Sequence, residues 1–194
     1  MDIDTLKDFA TRQRAIRLID TSRDVDEALI DQILEVGTHA PNGGNRQIYR
    51  FIVIRDAETK RQLAEIYDTL GAQRYGNPES RTTWAQMPVM IAACSIPSSG
   101  PAGASSNASR SATAASVLPA VQNMLLAITA LGLGSVLTTL WKEEEAKVNQ
   151  ILGLPEGAEI HAILPIGWPD RKYGRNHRKP VSEVTYRERW DSPW

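Results

Sequence analysis

Three short stretches hold most of the side chains that could do chemistry. "RQRAIR", residues 12–17, and "GRNHRKP", residues 174–180, concentrate arginine. A guanidinium is suited to phosphate because its planar fork donates two hydrogen bonds at once. "NGGNRQ", residues 42–47, joins an apolar helical stretch to a strand-like run with two glycines flanked by amide side chains. Glycine lets backbone approach a flat ligand closely. Asn and Gln donate and accept together, as recognition of a heterocycle or polyol requires. Each stretch has a plainer reading: a solvated basic surface for either arginine cluster, and a helix C-cap followed by turns for the loop.

Standard catalytic constellations are missing. His39, His161 and His177 are far apart in sequence and form no metal spacing. Cys94 lies in an apolar run and reads as an inert core thiol. No GxSxG elbow, GxGxxG fingerprint or Walker lysine motif occurs. Glu143, Glu144 and Glu145 read as a solvated first helical turn. What remains is a binding module, or an enzyme whose chemistry belongs to a bound cofactor.

The elements that must position these residues follow from periodicity. Residues 24–36 read as a helix, with Asp24 and Glu27 at capping-box spacing and a stripe of Leu29, Ile30, Ile33 and Leu34. Residues 51–54 and 89–96 read as buried strands, with a helix over 58–70 between them. The most apolar helix is predicted over 114–131. There Val117, Val121, Met124, Ile128 and Leu131 form the seam of a buried or subunit-facing helix. A strand over 135–140, a short helix over 143–152 and a strand over 159–167 complete the order, followed by a basic, then aromatic, tail over 169–194. "PSSGPAGASSNASRSATAA", residues 97–115, carries one charge, Arg110, and no large side chain. It reads as a surface loop or, more sharply, as a mobile flap over a site.

Composition narrows the function classes. A chain of 194 residues suits one domain with a sizeable core. Twenty-two Lys and Arg against 23 Asp and Glu give a net charge of -1, so no global field draws in nucleic acid or membrane, and any anion site must be local. The acidic start "MDIDTLKDFA" lacks the basic and apolar regions of a signal peptide. The apolar stretch around 117–140 is interrupted by Gln122 and Asn123 and does not read as a membrane span. The expectation is a cytoplasmic protein.

Taken in order, "RAIR", "APNGGNRQIYRFIVIRD", "LPAVQNMLLAITALGLGSVLTTL" and "LPIGWPD…RKPVSEV…ERW" resemble the successive landmarks of the nitroreductase family of flavin-dependent oxidoreductases. The resemblance runs over nearly the whole chain. The usual loop pattern in that family is APSxxNxQPWxF; here Asn42 stands for Ser, Ile48 for Pro and Tyr49 for Trp.

The resemblance implies an α+β fold, a central and mostly antiparallel sheet flanked by helices. It also implies an intertwined homodimer that binds FMN at its interface, with the 114–131 helix as dimer core and the tail, with Trp190 and Trp194, wrapping across the partner. Carried over, Arg14, Ala15 and Arg17 grip the phosphate with Arg178 from the tail, and Asn176 is a further phosphate candidate. Asn45 and Gln47 fall on positions that meet the isoalloxazine and ribityl chain. Leu137, Thr138 and Thr139 fall on the segment whose backbone faces the flavin. The implied reaction is ping-pong, with NADH or NADPH as donor and a nitroaromatic, quinone or similar electron-poor molecule as acceptor. It needs no side-chain acid or base and no metal. Alternatives are reductive dehalogenation or flavin fragmentation on the same fold, or flavin sequestration without turnover.

Overall fold

The computed structural model describes residues 2–76, 81–96 and 107–194. The chain divides into two compact units, residues 15–172 and a smaller one made of residues 1–14 with 173–194.

The larger unit is built on an antiparallel sheet. Its strands are β1 (Ile19–Asp20), β2 (Tyr49–Ile54), β3 (Val89–Ser95), β4 (Gly134–Ser135) and β5 (Glu159–Pro169), in the order β1-β5-β3-β2 with β4 also paired to β5. Every pairing is antiparallel. "VMIAACS" is apolar without alternation because β3 is central and buried along its whole length. Val89, Ile91 and Ala93 of β3 and Ala162, Leu164 and Ile166 of β5 join one core cluster. The alternate set, Met90, Ala92 and Ile163, is equally buried, so both faces of the sheet are covered.

The helices of this unit are α2 (Glu27–Thr38), α3 (Ala57–Tyr75), α4 (Asn107–Ala130) and α5 (Glu145–Ile151). The α+β architecture anticipated from the sequence is present, with helix boundaries shifted. Asp24 does not cap α2: Asp26 is the N-cap, and the Asp24 carboxylate accepts from Val25 N–H and from Arg55. Asp56 caps α3 through Thr59 N–H at 2.7 Å, and α3 runs on to Gly76 in the left-handed conformation. Of the expected flap, residues 107–115 are the first turns of α4, and 97–106 lie outside the described residues. Of the expected 135–140 strand only Ser135 is strand, as the end of β4; the chain then makes a single bridge at Thr138 and turns into a 3-10 helix, Leu140–Glu144.

The α4 seam needs a correction. Val117, Val121, Met124 and Ile128 are buried inside the chain's own core, against α2 and the sheet. They have no surface left to give a partner. Ser111–Ala130 is long and apolar enough to cross a membrane by composition alone, and that apolarity here serves the core. The free side of α4 carries Ala115, Leu118 and Gln122 instead.

The smaller unit contains α1 (Ile3–Arg12), an amphipathic helix without a buried residue, capped by the Asp2 carboxylate on Thr5 N–H. The tail adds a short 3-10 turn, Val181–Glu183, and a Tyr186–Pro193 bridge. Large apolar side chains remain exposed here, with Trp190 at 81% and Trp194 at 67%.

Candidate functional site

Arg17 reaches its place by a backbone route. Ile16 N–H donates to Ser135 O at 2.8 Å, laying residues 15–17 beside β4. Gly134 makes this approach possible, since a Cβ there would stand 2.7 Å from Ile16 Cγ2. Arg17 O in turn accepts from Thr82 N–H at 2.9 Å. The result is a cavity of about 340 Å³ lined by Arg17, Tyr67, Arg74, residues 136–140, Lys142 and Glu143. Four of the residues singled out in the sequence, Arg17, Leu137, Thr138 and Thr139, therefore meet at one cavity.

The 136–140 segment is held rigidly. Thr138 donates both N–H (3.1 Å) and Oγ1 (2.9 Å) to Ile163 O, and its own carbonyl accepts from the buried Trp141 indole at 3.1 Å. With Thr138 turned into the sheet, the neighbours on either side face out: Leu137 is 40% exposed, and Thr139 is exposed as well. Thr138 thus anchors the segment, and Leu137 and Thr139 are the groups it presents.

The cavity is cationic. Arg17, Arg74 and Lys142 stand against one carboxylate, Glu143, which pairs with Arg74 at 3.3 Å. Among the described residues Arg17 has no carboxylate partner. Tyr67 is stacked on the buried Trp84, ring centroids 3.9 Å apart, which fixes that wall. Arg74, Lys142 and Glu143 were not visible as site residues in the sequence, where Glu143 reads as a solvated turn. Tyr67 was visible only as part of a helix face.

The amide loop is a separate construction within the same unit. Asn42 Oδ1 accepts from Gln47 N–H at 2.8 Å, closing the loop on itself, and Gly43 N–H donates to Ser116 Oγ of α4 at 3.1 Å. Gly44 takes φ +60°, and, without the excuse of being glycine, Asn45 takes φ 52° and Gln47 φ 49°. Left-handed conformations at non-glycine residues cost energy and concentrate where a side chain must be aimed. Both side chains are exposed, and among the described residues neither amide is engaged. Asn42, in the place of the usual serine, has a structural task. Tyr49 is buried, with its hydroxyl donating to Thr38 O at 2.8 Å.

In the smaller unit, Arg14 Nη1 donates to Gly174 O at 3.1 Å and the guanidinium lies over the Tyr173 ring at 5.7 Å. Arg178 is exposed and donates to the neighbouring His177 O. Asn176 is reassigned. Its amide donates to Ala10 O at 2.9 Å and Gln13 O at 2.8 Å, and its N–H donates to Thr11 O at 2.7 Å. Both amide hydrogens are spent on closing the end of α1, which leaves none for a phosphate. Ala15, half-buried in the larger unit, has only its backbone to offer.

Two buried polar groups lie elsewhere in the sheet. His161 Nε2 is 3.0 Å from Ser95 Oγ, and burial holds the imidazole below its ordinary value. Cys94 is buried, its thiol pushed up to about 11 by desolvation, in keeping with an inert core thiol.

The model of the Nitroreductase family matches residues 10–168. An Archaeoglobus fulgidus protein with the provisional name NADH dehydrogenase/NAD(P)H nitroreductase is 30% identical over 190 residues, spanning 95% of this chain and 98% of its own. Iodotyrosine deiodinase of Thermotoga neapolitana is 30% identical over 188 residues, spanning 88% of this chain and 94% of its own. Among solved structures, oxidized iodotyrosine deiodinase bound to FMN and 3-iodo-L-tyrosine superposes with a TM-score of 0.74 at 25% identity, over 95% of this chain and 98% of that one. The match to the family model, the extent of these likenesses and the antiparallel α+β sheet agree: the chain belongs to the nitroreductase family.

Proposed function

We propose that the protein is an FMN-dependent oxidoreductase that takes electrons from NADH or NADPH and passes them to a small electron-poor acceptor such as a nitroaromatic or a quinone. The observation that carries the reading is the cationic cavity in which Arg17 faces the 136–140 segment. FMN needs cations for its phosphate, amides for its polar edge, and an apolar strip for its ring. Arg17 supplies the first. Asn45 and Gln47, aimed outward in strained conformations, supply the second. Leu137, exposed beside Thr139, supplies the third.

FMN supplies two-electron chemistry when bound, and the chain's own residues bind, orient and exclude. Arg17 and Lys142 favour negative charge in the cavity, while the Arg74–Glu143 pair limits the excess. Thr138, locked to Ile163, holds Leu137 and Thr139 at constant depth, so that donor and acceptor meet one fixed surface.

The proposal includes a homodimer. In the larger unit Leu118 on the free side of α4 is 40% exposed, and in the smaller unit Val181, Val184, Trp190 and Trp194 are exposed. A cytoplasmic protein acting on small molecules, with neither nucleic acid nor membrane as partner, suits the net charge of -1.

The test is direct. The purified protein should be yellow and release FMN on denaturation, and stopped-flow mixing with NADH or NADPH should bleach it. Arg17→Ala should weaken FMN binding by roughly 10- to 100-fold, the loss expected for a charge-assisted hydrogen bond. A colourless protein that gains no visible absorbance with FMN would refute the reading. Reductive dehalogenation is the second reading, favoured by the full-length likeness to iodotyrosine deiodinase. Iodide release from 3-iodo-L-tyrosine, compared with nitroaromatic reduction, separates the two.

A further inference from the structure

A second basic hollow lies in the larger unit, with a lining that shares no residue with the cavity around Arg17. It has a volume of about 460 Å³ and is lined by residues 21–24, Arg55, Lys60 and residues 86–88. Its construction begins at the end of β1. Asp20 Oδ1 accepts from Ser22 N–H at 3.0 Å and Ser22 Oγ at 2.6 Å, a turn that brings the chain back over β5. Arg23 then lies on the Trp168 ring, 3.9 Å from its centroid. Trp168 is itself pinned, since its indole N–H donates to Asp24 O at 2.9 Å. Stacking fixes the guanidinium and leaves its N–H edge free, and among the described residues that edge donates no hydrogen bond.

The other two cations are fixed as well, Lys60 by a carbonyl and Arg55 by a carbonyl and a carboxylate. Lys60 Nζ donates to Met87 O at 2.8 Å, and Arg55 donates to Val25 O as well as to the Asp24 carboxylate at 3.2 Å. A carbonyl and an indole hold Lys60 and Arg23, while Arg55 is paired with the Asp24 carboxylate. Three cations therefore face the hollow against one lining carboxylate, Asp24. The nearby Asp20 carboxylate closes its own turn and lies within electrostatic reach of Arg23, so the local excess is one positive charge, nearest Lys60. In a chain of net charge -1 this excess is local and held in fixed geometry.

We propose that this hollow is a binding site for the phosphoryl group of a small molecule, with the free edge of Arg23 and the remaining Lys60 hydrogens as donors. The ligand is a free phosphate or the phosphoryl end of a nucleotide, and the shared chemistry is a compact di-anion. The site does not depend on the reading of the Arg17 cavity, and its test reports on Trp168 alone.

The protein as purified, free of excess FMN, is titrated with inorganic phosphate and, separately, with adenosine monophosphate at constant ionic strength. The indole N–H signals are followed by nitrogen-correlated NMR, with Trp168→Phe identifying the Trp168 signal. The expected result is a saturable shift of that signal. Arg23→Gln and Lys60→Gln should each weaken the binding by about 10-fold, and Arg23→Lys by less. Tighter binding of the nucleotide identifies a nucleotide ligand; equal or tighter binding of inorganic phosphate identifies free phosphate. A Trp168 signal unmoved by either anion, or a shift that survives both neutral variants unchanged, overturns the proposal. Lys60→Gln lies away from the indole and keeps the test decisive if Arg23→Gln disturbs the Trp168 signal by itself.

Discussion

Gly134→Ala tests how the arginine motif is delivered to its cavity. The added Cβ would lie 2.7 Å from Ile16 Cγ2, 3.0 Å from Ile16 Cβ and 3.2 Å from Pro169 Cγ. Carbon atoms sit comfortably at about 3.5–4.0 Å, so residues 15–17 must retreat by roughly 1 Å. Overpacking of this kind costs about 1–3 kcal/mol. Loss of the 2.8 Å bond from Ile16 N–H to Ser135 O adds about 1 kcal/mol. For a chain of this size each kcal/mol lowers the melting temperature by about 2–4 °C, so a fall of roughly 4–15 °C is expected at fixed protein concentration. FMN affinity should fall too, since Arg17 moves with Ile16. Ile16 is buried, and Ile16→Ala alone should cost about 2–5 kcal/mol. It also removes the atoms that clash, so the double variant should lose about 1–2 kcal/mol less than the sum of the singles. The assay is a double-mutant cycle by thermal and denaturant unfolding. Additivity within about 0.5 kcal/mol would refute the argument that Gly134 exists to admit Ile16.

Three further outcomes follow from particular contacts. His161 is held below its ordinary 6.5 by burial, so the unfolded chain binds its proton first. Its contribution to stability is fully present above 6.5 and lost as the pH falls through the lower folded value. The melting temperature should therefore drop on acidification below that point, and His161→Gln should flatten that part of the curve; an unchanged slope would remove His161 as its source. Asn176→Ala should fray the end of α1 at a cost of about 1–2 kcal/mol, seen as faster amide exchange there, because two carbonyls lose their donor. Unaltered exchange would return Asn176 to the list of phosphate donors. Val121→Glu should prevent folding outright, since it buries an unpaired charge in the core, whereas Leu118→Glu should fold and sediment as a monomer. A dimer that tolerates Leu118→Glu would place the interface elsewhere.

The sequence by itself determined the fold class and the order of its parts. A short unbroken apolar run such as "VMIAACS", opened by Pro88, reads as a strand covered on both faces, and the heptad-like spacing from Val117 to Ile128 reads as a helix with one deeply buried side. Those are local consequences of periodicity and burial. It also marked the loop at 42–47 as a candidate, since glycines flanked by amide side chains suit a flat polar ligand as well as a helix C-cap and turns. What it could not decide is which neighbour does the burying. The same seam suits a partner subunit or the chain's own sheet, and only the packing of α4 against α2 and β3 assigns it to the core. Nor could it separate Thr138 from its neighbours. That difference arises from a bond to Ile163, twenty-five residues away, which turns one residue inward and its neighbours on either side outward. Asn176 shows the same limit: its type allows phosphate binding, and its partners at Ala10 and Gln13, more than 160 residues earlier, spend its hydrogens on a helix end. Residue type sets what a group can do. Long-range hydrogen bonds and packing decide which groups remain free to do it.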